Sequence, residues 1–147
     1  VHFAAFCFGA VLAPFAPVTW GSLWCTLLAA VTLPLGWQIE WAIALCLFVS
    51  GIWICGSSAR KLGVHDHGGI VWDEIAGAYL IMLPLPRTTA WLVAGFVVFR
   101  VLDIVKPWPI RELDHRLSGG IGIMLDDILA ASIGAVGLYV TYGVMVP

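Results

Sequence analysis

The sequence has few charged residues, and this shortage excludes most soluble folds. Asp, Glu, Lys and Arg make up 11% of the chain and hydrophobic residues 61%, whereas charged residues supply about 25% of a typical soluble domain. A soluble domain of 147 residues could not bury that much apolar surface, and the mean hydropathy of +1.00 points the same way. We therefore predict an integral membrane protein with a single domain over residues 1–147.

The chain also lacks a broad basic surface and a metal-binding cysteine pattern. Its formal net charge is −2, which argues against a nucleic-acid partner. The four cysteines form no C-x-x-C pair, so we expect them to be small buried hydrophobic residues. Because the sequence begins at Val1 inside an apolar run, we expect the natural N-terminus to lie upstream, and we therefore assign no signal peptide.

Five apolar segments approach the roughly 20 residues that a helix needs to cross a bilayer. We place them at 21–36, 39–55, 73–85, 89–106 and 126–146. The stretch 1–12 is too short to span and is expected to be a truncated or interfacial helix. The predicted fold is therefore all-α: a polytopic helical membrane bundle of about five transmembrane helices plus a short N-terminal helix.

Lys and Arg are concentrated in two of the predicted loops. Arg60 and Lys61 lie in the loop 57–72, and Lys106, Arg111 and Arg116 lie in the loop 106–125. The positive-inside rule places both loops in the cytoplasm. Because two predicted spans separate the loop 11–22 from the loop 57–72, the loop 11–22 lies there as well. Eight of the nine acidic residues, all except Glu40, then lie at or beside this cytoplasmic face.

Paired acids begin two of the predicted helices. Asp73 and Glu74 start one helix, Asp126 and Asp127 start another, and Asp103 lies near the end of a third. Glu74 and Asp127 share helical faces with Gly and Ala residues, which are the surfaces through which helices pack in lipid. We therefore predict that these two point into the bundle, while Asp73 and Asp126 cap their helices.

These acids are too many for the neighbouring cations to neutralise. Arg100 and Lys106 lie one turn to either side of Asp103 and could compensate that carboxylate alone. A divalent cation could compensate the others, and Mg²⁺ prefers carboxylate and water oxygens. The predicted ligands are Glu74, Asp103 and Asp127, and possible further ligands are Asp73 and Asp126. Two simpler interpretations stay open: acids that stabilise helix dipoles, and a structural charge network.

Several polar residues beside the acids favour phosphoryl chemistry. Arg100, Lys106 and Arg111 could hold phosphate oxygens, although Arg111 could equally be a topology signal. Thr19 and Ser22 begin a predicted helix, where backbone N–H groups receive anions, but helix capping explains them as well. His65 and His67 lie in a predicted loop and could act as acid, base or ligand, or simply be solvated.

Four blocks of the sequence resemble, in order, the signature blocks of the phosphatidylglycerophosphatase A family. They read PVTWGS, VHDHGGIVWDE, FRVLDIVKPWPIR and GGIGIMLDD. The resemblance implies an all-helical, Mg²⁺-dependent enzyme of the bacterial inner membrane that removes the terminal phosphate of phosphatidylglycerophosphate. The residues that match the family blocks are Asp73, Glu74, Asp103, Lys106, Asp126 and Asp127, accompanied by Arg100 and Arg111. The chain departs from the family at Val18, where Gly is usual.

The resulting hypothesis is a phospholipid phosphatase with its site on the cytoplasmic side. The substrate's acyl chains stay in the cytoplasmic leaflet, the acids hold Mg²⁺, the cations neutralise phosphoryl charge, and a water attacks, oriented by an acid or by His67. The alternatives are a non-catalytic membrane protein with a charge network or ion path, and a phosphatase for another lipid phosphate. An ion path should place ionisable groups at several depths, and here they lie at one. The oligomeric state is not predicted.

Overall fold

The computed structural model describes residues 24, 25, 27–29, 31, 32, 35–62 and 72–146, and its regular elements over these residues are all helical. The elements are helical residues within 24–32, followed by α1 (Trp37–Leu62), α2 (Trp72–Met82), α3 (Thr89–Val105), α4 (Ile110–Arg116) and α5 (Gly119–Met145). The predicted all-α class is thus confirmed for the described part of the chain. The predicted N-terminal helix at 1–12 lies outside it.

Two of these helices are long and apolar enough to cross a membrane. They are α1, over Trp37–Ser57, and α5, over its full length. The 11 residues of α2 extend only about 16 Å and the 17 of α3 about 25 Å, against a hydrocarbon core of about 30 Å. The expected count of about five transmembrane helices is therefore not supported by the described helices.

The predicted start of the last helix is wrong. We expected it to begin at Asp126, but α5 begins at Gly119, about two turns earlier. The glycine-rich run before Asp126 continues the helix because Gly120 and Gly122 are buried where neighbouring backbone comes close. The acidic pair consequently lies inside the helix rather than at its N-terminus.

The region expected to be a loop after α3 also contains a short helix. We expected a loop over 106–125, yet α4 runs over Ile110–Arg116 directly after Pro109. Proline is compatible with the beginning of a helix, where its missing N–H would have no helical partner. Ile110 is fully buried, so α4 packs onto the bundle through its first residue.

The helix α5 lies at the centre of the bundle and contacts the other four helices. Its buried face carries small residues, as the sequence predicted, including Ala130, Ala131 and Gly134. The core beside this face contains the fully buried side chains of Tyr79 and Phe99. Small residues let the helices approach closely, and this approach brings the polar residues of different helices together.

Gly120 allows the closest of these approaches, and we expect Gly120→Ala to destabilise the protein strongly. A Cβ at this position would overlap the backbone oxygen of Ile52 on α1, which cannot move aside as a flexible side chain could. We expect a loss of about 1–3 kcal/mol or more, measured as a lower melting temperature in detergent. The matched control is Gly137→Ala on the same helix, where a Cβ would meet nothing within 4 Å. Equal melting temperatures for the two variants would contradict the close contact between α1 and α5.

Candidate active site

Arg100 joins α2 to α3 through two carboxylates. Its Nη1 lies 2.8 Å from Glu74 Oε1 on α2 and 2.8 Å from Asp103 Oδ2, one turn further along α3. The three side chains are between 16% and 22% exposed, so these ion pairs are largely shielded from solvent. The sequence predicted the pairing of Arg100 with Asp103, and the bridge to Glu74 adds a second helix to the group.

Lys106 joins the end of α3 to α5. It follows α3 in a left-handed backbone conformation (φ 44°), in which its N–H donates to the Leu102 carbonyl at 2.9 Å. Its Nζ donates to Asp126 Oδ2 at 2.6 Å, and the Asp126 side chain is 5% exposed. The sequence placed Lys106 beside Asp103 along the helix, whereas the structure gives it a partner on another helix.

Asp126 is therefore not the helix cap that we predicted. It lies inside α5, is buried, and forms an ion pair with Lys106. The prediction failed because the helix extends further towards the N-terminus than the acidic pair suggested. Asp73, the other predicted cap, does lie in the first turn of its helix, and its Oδ1 accepts the N–H of Glu74 at 2.9 Å.

Asp127 lies at the centre of this group of acids. The residue is 4% exposed, and its carboxyl group lies near the carboxyl groups of Asp73, Asp103 and Asp126. Its Oδ2 is buried and has no hydrogen-bond partner among the residues that the structure describes. Carboxylates placed so closely repel one another unless a proton or a cation lies between them.

The group as a whole has an excess of negative charge, and we name it the acidic cluster. Among the described residues it contains five carboxyl groups and two cations: Asp73, Glu74, Asp103, Asp126 and Asp127, with Arg100 and Lys106. The residues come from α2, the end of α3 and α5. The convergence of acids from separate helices that the sequence predicted is therefore present.

The donor set fits Mg²⁺ in its chemistry. Within the described residues, no three His, Cys, Asp or Glu side chains converge tightly enough to bind one ion between them, so Glu74, Asp103 and Asp127 are not assembled as a three-ligand cluster. Mg²⁺ is commonly held by only one or two carboxylates, with water and substrate phosphate completing its coordination. Asp127 Oδ2, which has no hydrogen-bond partner in the described part of the chain, lies near Asp103 and meets that smaller requirement.

Five predicted site residues remain, and the structure describes only one of them, Arg111. Thr19, Ser22, His65 and His67 lie outside the described residues. Arg111 is exposed on α4, and no ion pair links it to another described residue.

The sequence interpretation missed a second polar group on the far side of the bundle. Arg87 Nη2 lies 2.5 Å from Glu40 Oε1, and Glu40 is buried. Nearby, the Tyr79 hydroxyl donates to Thr32 Oγ1 at 3.0 Å. A signal was available, because Glu40 is the one acid and Arg87 the one cation that the sequence places away from the cytoplasmic loops.

Comparison with known proteins gives a consistent family assignment. The family model for phosphatidylglycerophosphatase A matches residues 3–142. Phosphatidylglycerophosphatase A of Escherichia coli K12 is 43% identical over 139 residues, covering 94% of this chain and 81% of that protein. The Haemophilus influenzae protein of the same name is 43% identical over 133 residues, covering 89% and 82%. A putative phosphatidylinositol-3-phosphatase of Bacteroides thetaiotaomicron is 34% identical over 132 residues, covering 84% and 81%. No solved structure matches the chain.

Proposed function

Because the chain belongs to the phosphatidylglycerophosphatase A family, we propose that it hydrolyses phosphatidylglycerophosphate to phosphatidylglycerol and inorganic phosphate. The observation that carries this proposal is the acidic cluster, in which buried Asp127 lies among acids and cations from three helices. A phosphatase for a phosphomonoester needs such a group, since it must bind a dianion and stabilise the charge that moves onto its oxygens.

The same cluster is the reason for proposing Mg²⁺. A phosphomonoester dianion would be repelled by the carboxylates of the cluster, which outnumber its described cations. Asp103 and Asp127 would hold the ion. Bound there, Mg²⁺ would supply positive charge to the phosphoryl oxygens.

The protein's own residues would then act as follows. Arg100 holds Glu74 and Asp103 in place and presents positive charge to the entering phosphate. Lys106 does the same from the end of α3, where it holds Asp126. A water attacks phosphorus, oriented by a carboxylate of the cluster or by His67, and the glycerol oxygen of the lipid leaves with a proton.

We further propose that the protein spans the bacterial inner membrane more than once, with the cluster on the cytoplasmic side. Two observations support this orientation. The helices α1 and α5 are long and apolar enough to span, and Lys and Arg are concentrated in the segments 57–72 and 106–125, which adjoin cluster residues in the sequence. The substrate would then enter from the cytoplasmic leaflet.

The proposed activity predicts phosphate release that depends on a divalent cation. Purified protein in detergent should release phosphate from phosphatidylglycerophosphate with Mg²⁺, and EDTA should abolish the release. Phosphatidylinositol 3-phosphate is the comparison substrate, because one relative is named as a putative phosphatase for it. Faster turnover of phosphatidylinositol 3-phosphate would mean that the protein is a phosphatase for a different lipid headgroup. Activity that persists in EDTA would contradict the role of the metal.

A further inference from the structure

An open apolar groove lies between α1, α2 and α5. It encloses about 500 Å³, which is within the range of ligand sites, about 300–1,000 Å³. Its walls are almost wholly apolar and include Trp41, Leu45 and Phe48 of α1, Leu80 of α2, and Ile128 and Val136 of α5. We propose that this groove binds one acyl chain of the phospholipid substrate, an inference that rests on the proposed function.

The position of the groove along the bundle favours this occupant. On α5 the groove begins at Ile128, the residue after Asp127, and runs to Val136, away from the acidic end of the helix. The eight-residue separation corresponds to about 12 Å along the helix, close to the roughly 15 Å depth of one leaflet's hydrocarbon. A lipid with its headgroup at the cluster would therefore place an acyl chain beside the whole length of the groove.

The lateral position also fits the chemistry of the substrate. Successive helical residues are about 100° apart, so Ile128 faces a direction rotated by about a third of a turn from Asp127. In phosphatidylglycerophosphate, a glycerol, a phosphodiester and a second glycerol separate the terminal phosphate from the acyl chains. This spacer lets the phosphate reach Asp127 while the chain lies on the neighbouring face.

The groove is open along an exposed rim. Its outer rim is formed by Trp41, Leu45 and Val136, which are 53%, 62% and 65% exposed. These residues belong to α1 and α5, the two helices that are able to span a membrane. A chain could therefore enter sideways from the bilayer without crossing the polar site.

The test fills the groove and compares two substrates that differ only in chain length. Ser132 lines the groove and is exposed, and its Oγ donates only within α5, to the Ile128 carbonyl at 2.7 Å. Ser132→Trp should lower kcat/KM for dipalmitoyl phosphatidylglycerophosphate at least about tenfold, chiefly through KM, the equivalent of losing the burial of two methylene groups. The dihexanoyl lipid, whose chains are too short to use the groove, should change less than about twofold. Val97→Trp, at an exposed position of α3 away from the groove, is the control and should leave both substrates unchanged.

The outcomes of this test distinguish failure of the proposed function from failure of the acyl-chain site. Wild-type protein that releases no phosphate from either lipid would overturn the proposed function. If the protein is active but Ser132→Trp leaves the ratio of the two kcat/KM values unchanged, the groove does not bind an acyl chain of the substrate. A groove filled by ordinary bilayer lipid would give this result as well. A dimer in detergent that Ser132→Trp converts to a monomer would assign the groove to a second copy of the chain and overturn the proposal as well.

A direct measurement covers the case in which Ser132→Trp fails to fold or the wild type is inactive. Wild-type protein is irradiated in vesicles of phosphatidylglycerol that carries a photoreactive diazirine in one acyl chain. Adducts should concentrate on the groove residues Trp41, Leu45 and Val136. Adducts spread evenly over other exposed positions, such as Val97 and Val101 on α3, would contradict the site.

Discussion

Asp127→Asn is expected to lower kcat for phosphate release at least about 100-fold, the usual effect of removing one group that stabilises the transition state. The carboxylate is 4% exposed, its Oδ2 has no described hydrogen-bond partner, and it faces Asp73, Asp103 and Asp126. Asparagine has the same shape but brings no negative charge to a cation. The measurement is phosphate release from phosphatidylglycerophosphate over a range of Mg²⁺ concentrations.

The same substitution is expected to leave the protein as stable as the wild type or more stable. In metal-free protein, a neutral amide in place of the Asp127 carboxyl would remove the repulsion between this group and the carboxylates of Asp73, Asp103 and Asp126. A higher melting temperature in EDTA together with lost activity would identify Asp127 as a functional rather than a structural residue. Glu112→Gln is the matched control, because Glu112 is a half-exposed carboxylate that pairs with Arg116 on α4, outside the cluster. Full Mg²⁺-dependent turnover by Asp127→Asn would show that Asp127 does not bind the metal.

The sequence predicted the fold class because composition and helical spacing act locally. A shortage of charge and long apolar runs favour helices in lipid, and the bounds of α3 were predicted to within one residue at its C-terminal end. The start of α5 was mispredicted because a glycine-rich run normally argues against a helix. The contact of Gly120 with the backbone of α1 outweighs that preference, and such a contact cannot be read from local spacing.

The candidate site was predictable in its residues but not in its pairings. Small residues beside Glu74 and Asp127 indicated which helical faces are buried, and both faces do pack in the bundle. The partner of Lys106 could not be predicted, because it depends on how the chain turns after α3 and on the depth of Asp126 within α5. The link between Arg100 and Glu74 likewise requires the relative position of two helices.

The buried pairing of Lys106 with Asp126 leads to the second large expected effect. Lys106→Met should destabilise the protein by on the order of 3 kcal/mol, because it leaves the carboxylate of Asp126 inside the bundle without its ammonium partner. For a chain of this size that loss corresponds to a melting temperature lower by roughly 6–12 °C. Arg116→Met is the matched control, since the ion pair of Arg116 with Glu112 is 75% and 52% exposed and such pairs contribute little.

A second substitution separates the role of Lys106 in stability from its role in catalysis. Lys106→Met combined with Asp126→Asn removes both charges, so the double variant should recover most of the lost melting temperature. It should not recover activity, because the ammonium that we assign to the entering phosphate is still missing. Recovery of both properties would mean that Lys106 serves only to neutralise Asp126, and Arg100 would then remain as the one described cation of the cluster able to act on phosphate. Recovery of neither would mean that the ammonium of Lys106 stabilises other parts of the cluster besides Asp126.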